Sequence, residues 1–186
     1  PRSACTLCGA CIRACPTGAK QFVAEHYTPT DILAAVQAET VFFDESGGGV
    51  TFSGGECLTH AVFLEEACRI LQENGIHTAI DTCGAVPWSS IERVLPYADL
   101  FLYDIKKMDP VLHKAYTGID NTQILNNLKR LTHADAKLII RVPLIPGYTD
   151  SQDDIRQIGL FLRDELQLKI EQIGRASCRK ECRSRW

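Results

Sequence analysis

Residues 47–58 read GGGVTFSGGECL, a short apolar strand that runs directly into a glycine-rich turn and a carboxylate, Glu56. The residues after the turn place apolar side chains at helical spacing: Phe63, Leu64, Ala67, Ile70 and Leu71. This spacing predicts a helix with one buried face, and Asn74 followed by Gly75 is a typical helix end. The stretch therefore predicts a strand and a helix joined by a polar turn.

The same strand-then-helix unit recurs along the chain at intervals of roughly 25 to 35 residues. Apolar strands are predicted at 77–81 (HTAID), 100–106 (LFLYDIK) and 137–147 (KLIIRVPLIPG), and LKIEQI at 168–173 is typical of the start of a fifth. Alternation of this kind predicts an α/β protein with a parallel sheet and right-handed crossovers. A doubly wound sheet and a barrel both fit the pattern.

Three helix starts are predicted from capping residues. Thr28 precedes Pro29, which favours a first helical position, and Asp31 lies in the first turn. Ser89 and Glu92 have the spacing of a capping box. A further helix begins near Ser151.

Polar and glycine residues cluster just past the predicted strands, at 53–56, 81–84, 104–106 and 141–147. In both barrels and doubly wound sheets, active groups lie at the carboxyl ends of the strands. The glycine turn at 53–56 lacks the Lys-Ser/Thr pair of a phosphate-binding P-loop. Its two glycines allow a ligand to approach the backbone closely, and Glu56 suits an ammonium group.

Four cysteines in CTLCGACIRACPTGA (residues 5–19) have the spacing of a bacterial ferredoxin run. Cys5, Cys8, Cys11 and Cys15 are therefore predicted iron–sulfur ligands, with zinc as the alternative. In two-cluster ferredoxins the fourth cysteine binds the other cluster, so further ligands of that cluster would lie upstream. The odd total of nine cysteines argues against a secreted disulfide framework. Cytoplasmic metal binding fits better.

The composition is that of a globular protein, with 45% apolar and 23% charged residues. No apolar run approaches the roughly 20 residues of a membrane-spanning helix. A formal net charge of −3 gives no reason to expect nucleic acid or an anionic membrane as partner.

Residues 173–186, IGRASCRKECRSRW, carry five basic residues against one acid and lack apolar periodicity. The segment resembles the translation of a sequencing adapter, so we expect a non-native tail rather than a solvated basic one. The chain begins with Pro1, and we expect coding sequence to be missing before it.

Five ordered motifs, SGGGVTFSGGE, DTCG, LFLYDIK, HKAYTG and IIRVPLIPG, resemble radical S-adenosylmethionine (SAM) enzymes that activate glycyl radical enzymes. The family includes pyruvate formate-lyase activating enzyme, and members with a ferredoxin-like insert match best. The resemblance implies a partial TIM-like (β/α) barrel at 27–172, preceded by a partial ferredoxin-like 4Fe-4S segment at 1–26. It also implies reductive cleavage of SAM at a [4Fe–4S] cluster, followed by hydrogen abstraction from a glycine of a partner enzyme.

The resemblance also implies which residues bind the cofactor. Gly54, Gly55 and Glu56 would hold the methionine amino group of SAM. The other implied residues are polar groups at later strand ends: Asp81 and Thr82, with Asp104, near the methionine, and Lys106 and Arg141 near the carboxylate and ribose. His113 matches a recurrent family position.

Two departures from the family pattern accompany these assignments. The CxxxCxxC loop that binds the catalytic cluster is absent from the chain, so no catalytic residue is assigned and we expect this piece alone to be inactive. Cys57 stands where the family usually has proline after the GGE motif.

The leading hypothesis is thus a cytoplasmic activating enzyme that takes electrons from flavodoxin or ferredoxin and acts on a glycyl radical enzyme. One alternative is a ferredoxin-type electron carrier with an inert α/β domain. Another is a radical SAM enzyme that acts on a small molecule.

Overall fold

A computed structural model describes residues 6, 8–21, 26–167 and 173–177. Helices and strands alternate through most of this range. The α-helices are α1 (Ala10–Arg13), α2 (Pro29–Gln37), α3 (Thr40–Ser46), α4 (Ala61–Glu73), α5 (Trp88–Val94), α6 (Pro110–Thr117), α7 (Thr122–His133) and α8 (Gln152–Leu160). The strands are β1 (Gly49–Phe52), β2 (His77–Thr82), β3 (Leu100–Asp104), β4 (Leu138–Leu144) and β5 (Ile173–Ser177). A short 3₁₀ helix, Cys57–His60, leads into α4, and a π-helical turn, Phe161–Glu165, extends α8.

The five strands form one sheet in the order β1-β2-β3-β4-β5, and every neighbouring pair is parallel. A doubly wound sheet would need a reversal of strand order, which this sheet lacks throughout its described strands. Among them β1 and β5 do not pair with each other, so the sheet is open. The partial-barrel prediction is therefore confirmed.

The sheet has one apolar face and one open face. Along β3, Phe101 and Tyr103 are buried, whereas Leu102 and Asp104, which alternate with them, are half-buried. Side chains of a strand point alternately to opposite faces. The buried set joins apolar residues of α4, α5, α7 and α8 in one core, including Leu64, Ile91, Leu128 and Ile158.

Most local predictions agree with the structure, and one does not. Thr28 caps α2 in a complete capping box with Asp31, and Ser151 caps α8 by accepting from the Asp154 N–H. The capping box at Ser89 is wrong, because α5 already begins at Trp88 behind Pro87. The Glu92 carboxylate accepts instead from the Trp88 indole N–H at 3.0 Å.

Helices α1, α3 and α6 were not predicted. A fifth strand was predicted to start within 168–173; Ile173, the one described residue of that range, begins β5, which pairs with β4 in the register Arg141 to Gly174. Residues 168–172 and 178–186 lie outside the described part of the chain. The domain boundaries and the non-native tail stay predictions. No described helix is both long and apolar enough to cross a bilayer.

Candidate functional site

The predicted cofactor-binding residues lie at or just past the carboxyl ends of β1, β2 and β3, and Arg141 of β4 lies beside the end of β3. The register pairs Thr82 with Tyr103, and Asp104 with Arg141, so equivalent positions of neighbouring strands lie at one edge. The polar side chains there form two groups. We call Glu56, Thr82 and Cys83 the glutamate cluster, and Asp81, Arg141 and Asp104 the arginine cluster.

In the glutamate cluster, uncharged donors hold a carboxylate. The Thr82 hydroxyl lies 2.8 and 2.9 Å from the two Glu56 carboxylate oxygens. The main-chain N–H groups of Cys83 and Leu58 donate to the same carboxylate at 3.1 and 3.2 Å, and the Cys83 thiol lies 3.2 Å away. Neutral donors leave the negative charge of Glu56 available to a cationic ligand.

Space beside this carboxylate comes from the glycine turn. Gly54 has a φ of 146°, which favours glycine, and a Cβ added at Gly54 or Gly55 would meet no atom within 4 Å. Both glycines are exposed. The turn therefore offers open backbone next to Glu56, as the binding of an ammonium group requires.

The turn after β2 has no such space. Gly84 has a φ of 70°, and a Cβ there would lie 1.6 Å from the Tyr103 hydroxyl oxygen. Tyr103 is fully buried, and its hydroxyl donates to the Ile124 carbonyl at 2.7 Å. The Gly84 N–H donates to the Thr82 hydroxyl at 2.8 Å, which fixes the hydroxyl against Glu56.

In the arginine cluster one guanidinium binds two carboxylates. Arg141 donates from both Nη atoms to the Asp81 carboxylate and from Nε to Asp104 Oδ1 at 2.8 Å. About a quarter of each side chain is exposed, at 24%, 24% and 22% for Arg141, Asp81 and Asp104. The Ser53 hydroxyl reaches Asp81 at 3.4 Å. A planar guanidinium suits such a fork, and it could equally hold the carboxylate of a ligand.

Burial and charge act in opposite directions on the pKa values of this cluster. Burial raises the pKa of Asp104 above its ordinary value, and the nearby Arg141 only partly offsets that effect. For Arg141 burial lowers the pKa, but the hydrogen bonds and charges of Asp81 and Asp104 outweigh it, so the net shift is upward. Arg141 therefore stays charged at all working pH values.

Two thiols adjoin the glutamate cluster. Burial, with the negative charges of Glu56 and Asp81, raises the pKa of Cys57 to about 12. Its thiol donates to the Asp81 carbonyl at 3.3 Å and so ties the GGE turn to β2. Burial likewise raises the pKa of Cys83. Both groups are protonated thiols at neutral pH rather than nucleophiles.

Two consecutive lysines after β3 lie in different surroundings. Lys106 follows the strand as a half-buried residue at the site edge. Lys107 is buried and binds Asp154 of α8 at 2.7 Å and the Tyr148 carbonyl at 3.1 Å. His113, also buried, contacts the Ile119 carbonyl through Nδ1 at 2.8 Å. No sequence motif indicated the Lys107–Asp154 pair, which joins the loop after β3 to α8.

The cysteine run lies in and around α1. Cys8 and Cys11 are exposed, Cys15 is half-buried, and all three are free thiols. A hydrogen bond from the Ala10 main chain lowers the pKa of Cys8, and the Thr17 hydroxyl lowers that of Cys15. Cys5 lies outside the described residues. Within the described ranges no three His, Cys, Asp or Glu residues are grouped closely enough to hold a metal ion. The donor chemistry of three thiols nevertheless suits an iron–sulfur cluster.

Comparison with known proteins gives one family match. Residues 4–158 match the model of the Radical SAM superfamily. That range includes the cysteine run, the glycine turn and both clusters.

Curated relatives and a solved structure point to a narrower group. The isethionate sulfite-lyase activating enzyme of Oleidesulfovibrio alaskensis is 37% identical over 173 residues, which cover 91% of this chain and 56% of the relative. The choline trimethylamine-lyase activating enzyme of the same organism is 40% identical over 194 residues, covering 86% of this chain and 62% of the relative.

The crystal structure of a domain of pyruvate-formate lyase-activating enzyme from Bacteroides vulgatus superposes with a TM-score of 0.59 at 36% identity. The superposition covers 63% of this chain and 73% of that one. The chain thus spans only about half to three-fifths of the length of the curated relatives it matches.

Proposed function

The chain belongs to the radical SAM superfamily, and we propose that it is part of an enzyme that activates a glycyl radical enzyme. Its curated relatives at 34–40% identity are named as activating enzymes, of several lyases, dehydratases and a decarboxylase. When bound, a [4Fe–4S] cluster and SAM would supply the radical chemistry that removes a hydrogen atom from a glycine of the partner. The chain's own residues would bind and orient SAM.

The observation that carries this proposal is the placement of opposite charges along one sheet edge. The Glu56 carboxylate, held by neutral donors beside the open glycine turn, suits the ammonium group of an amino acid. Arg141, which lies in β4 beside Asp104 at the end of β3, suits a carboxylate. The methionine part of SAM carries both groups.

The remaining predicted ligands extend this assignment. Asp81, Thr82 and Asp104 form the polar surroundings of the methionine, and Lys106 approaches the carboxylate and ribose side. Asp81 and Asp104 already neutralise Arg141, so an incoming carboxylate would have to share or exchange that partner. The SAM site would therefore form partly by rearrangement of existing ion pairs.

The cysteine run fits an auxiliary electron relay. Cys5, Cys8, Cys11 and Cys15 would bind iron–sulfur cluster iron, and the lowering of the pKa of Cys8 and of Cys15 favours the thiolate form that binds metal. Electrons would come from flavodoxin or ferredoxin in the cytoplasm. The partner protein would be a glycyl radical enzyme.

Binding and turnover by the full-length protein, reconstituted anaerobically with iron and sulfide, test the proposal. The wild type should bind SAM and release 5′-deoxyadenosine under reduction. Glu56→Gln should weaken SAM binding about a hundredfold, because the ammonium group of SAM loses its counter-charge. Glu66→Gln, an exposed change on α4, is the matched control and should bind as the wild type does.

Failure to release 5′-deoxyadenosine would reject the radical function in favour of an electron carrier. Release without an electron paramagnetic resonance signal on any candidate glycyl radical enzyme would favour a small-molecule substrate.

A further inference from the structure

We propose that Asn127, on the outer helix α7, is a positioning residue that holds Glu56 in place for the ammonium group of SAM. The inference rests on the proposed function. It concerns a residue that no sequence motif singled out and that lies in the helix layer rather than on the open face of the sheet.

A continuous series of hydrogen bonds links Asn127 to the carboxylate. Its Nδ2 donates to the Gly84 carbonyl at 2.9 Å and to the Val86 carbonyl at 2.8 Å. The Gly84 N–H donates to the Thr82 hydroxyl at 2.8 Å, and that hydroxyl donates to Glu56. The three steps connect α7, the turn after β2 and the glycine turn after β1.

The position of Asn127 leaves it little freedom. The residue is 3% exposed, and the two carbonyls it binds use both hydrogens of its amide nitrogen. Removing the amide would leave the Gly84 and Val86 carbonyls without these donors in a buried turn. The turn would relax, and the Thr82 hydroxyl and the Cys83 N–H would lose their aim at Glu56.

A second support of the turn comes from Tyr103 of β3. The Tyr103 hydroxyl packs against Gly84 and donates to the Ile124 carbonyl of α7. Tyr103 blocks one direction of movement by contact, whereas Asn127 fixes the peptide orientation by two directed bonds. Orientation is what a carboxylate needs in order to point at a ligand cation rather than merely remain buried.

The test compares two ligands, SAM and its analogue in which hydrogen replaces the α-amino group. Dissociation constants are measured on the full-length reconstituted protein as wild type, Asn127→Ala and Asn127→Ser. Asn126→Ala is the control, because Asn126 is the exposed neighbour on the same helix. The wild type should prefer SAM over the analogue by at least about thirtyfold, since the analogue lacks the partner of Glu56.

In both Asn127 variants the affinity for SAM should fall about tenfold, as expected when a hydrogen bond to a charged group is misplaced. Affinity for the analogue should change less than about twofold, because the analogue makes no contact with Glu56. Asn126→Ala should leave both constants unchanged. If Asn127→Ala does not fold, Asn127→Ser, in which a polar side chain is kept, is used to compare the dissociation constants of the two ligands.

Equal losses for both ligands would show a merely structural role and overturn the inference, as would two unchanged constants. A wild type that binds SAM and the analogue equally would instead overturn the assignment of Glu56 to the ammonium group. A wild type that binds neither would overturn the proposed function itself.

Discussion

The glutamate and arginine clusters lie at the same sheet edge, yet they satisfy their carboxylates in opposite ways. Glu56 accepts from a hydroxyl, a thiol and two main-chain N–H groups. Asp81 and Asp104 instead share one guanidinium. Neutral donors leave a net negative charge to attract a cation, whereas an internal counter-charge removes most of it. A cationic ligand can therefore bind Glu56 without displacing a charged partner, whereas an anionic ligand must compete with Asp81 and Asp104 for Arg141.

The two clusters also differ in their support. The glutamate cluster depends on a buried turn fixed by Gly84 and Tyr103 and by Asn127. The arginine cluster joins three strands directly through side chains that are about a quarter exposed. Changes at the buried turn should therefore have the larger effects.

The largest effect is expected from Gly84→Ala. The new Cβ would overlap the Tyr103 hydroxyl, and the φ of 70° disfavours alanine. We expect a loss of about 4 kcal/mol in the free energy of unfolding, from strain and overpacking together. Urea unfolding measures it. Gly75→Ala is the control, because Gly75 has a similar φ of 72° with nothing within 4 Å, and it should cost only about 1 kcal/mol. Equal losses would show that the turn is not tightly packed.

The charge of the glutamate cluster should be visible in thiol reactivity. Because the pKa of Cys57 is about 12 and that of Cys8 is lowered, iodoacetamide at pH 8 should label Cys8 at least about a hundredfold faster in iron-free protein. Removing a negative charge in Glu56→Gln lowers the pKa of Cys57 and should speed its labelling. Mass spectrometry of timed digests measures both rates.

Cys68 is the internal control for this experiment. Burial also raises its pKa to about 12, but its charged neighbour is Asp99 rather than Glu56. Its rate should not change in Glu56→Gln. Acceleration of both thiols would mean that the variant opens the core rather than changing the local charge.

A smaller loss is expected from Arg141→Met, which leaves two carboxylates facing each other. We expect a loss of about 2 kcal/mol at pH 7, less than for a fully buried pair because a quarter of the side chain is exposed. Arg69→Met is the control, since its pair with Glu73 is exposed at 42% and 56% and should contribute only about 0.5 kcal/mol. Equal losses would mean that the arginine cluster contributes no more than a surface pair.

The smallest effect is expected from Asp104→Asn, and its sign depends on pH. The pKa of Asp104 is raised in the folded state. The contribution of Asp104 to stability is therefore fully present below pH 3.8 and is lost as the pH rises through the pKa of the folded state. As the pH rises from 3.8 through the pKa of the folded state, Asp104→Asn should gain stability relative to the wild type. At pH 7 the free energies of unfolding of the two proteins should differ by only about 0.5 kcal/mol. Urea unfolding from pH 4 to 7 measures the trend. Asp44→Asn, exposed on α3, is the control, and a reversed trend in Asp104→Asn would contradict the pKa direction.

The sequence predicted the strands and two helix caps because their signals are local. Thr28 and Ser151 bind backbone groups three residues away, so nearby residues determine them. Helix α6 has a similar local signal, because Asp109 caps it and Pro110 follows at the first position. The predicted cap at Ser89 is wrong because two start signals overlap: α5 begins at Trp88, directly after Pro87 and one residue before Ser89.

The site could be predicted as a set of residues but not as two clusters. The motifs point to Glu56, Asp81, Asp104 and Arg141, yet the bonds between them join residues as far as 60 positions apart. Those contacts depend on strand register and on which face each side chain takes. Asn127 stands within an ordinary amphipathic helix, and only its contacts in the folded chain distinguish it from Asn126.

The order of the strands has a consequence for how the molecule forms. Each described strand after β1 pairs with the strand that precedes it in the chain, so its first partner has already been synthesised when it forms. A chain emerging from the ribosome can therefore add one strand and helix at a time to an edge that already exists. The site, which draws on four successive strands, would be completed only when Arg141 of β4 has docked, so the ability to bind ligand would appear late during synthesis.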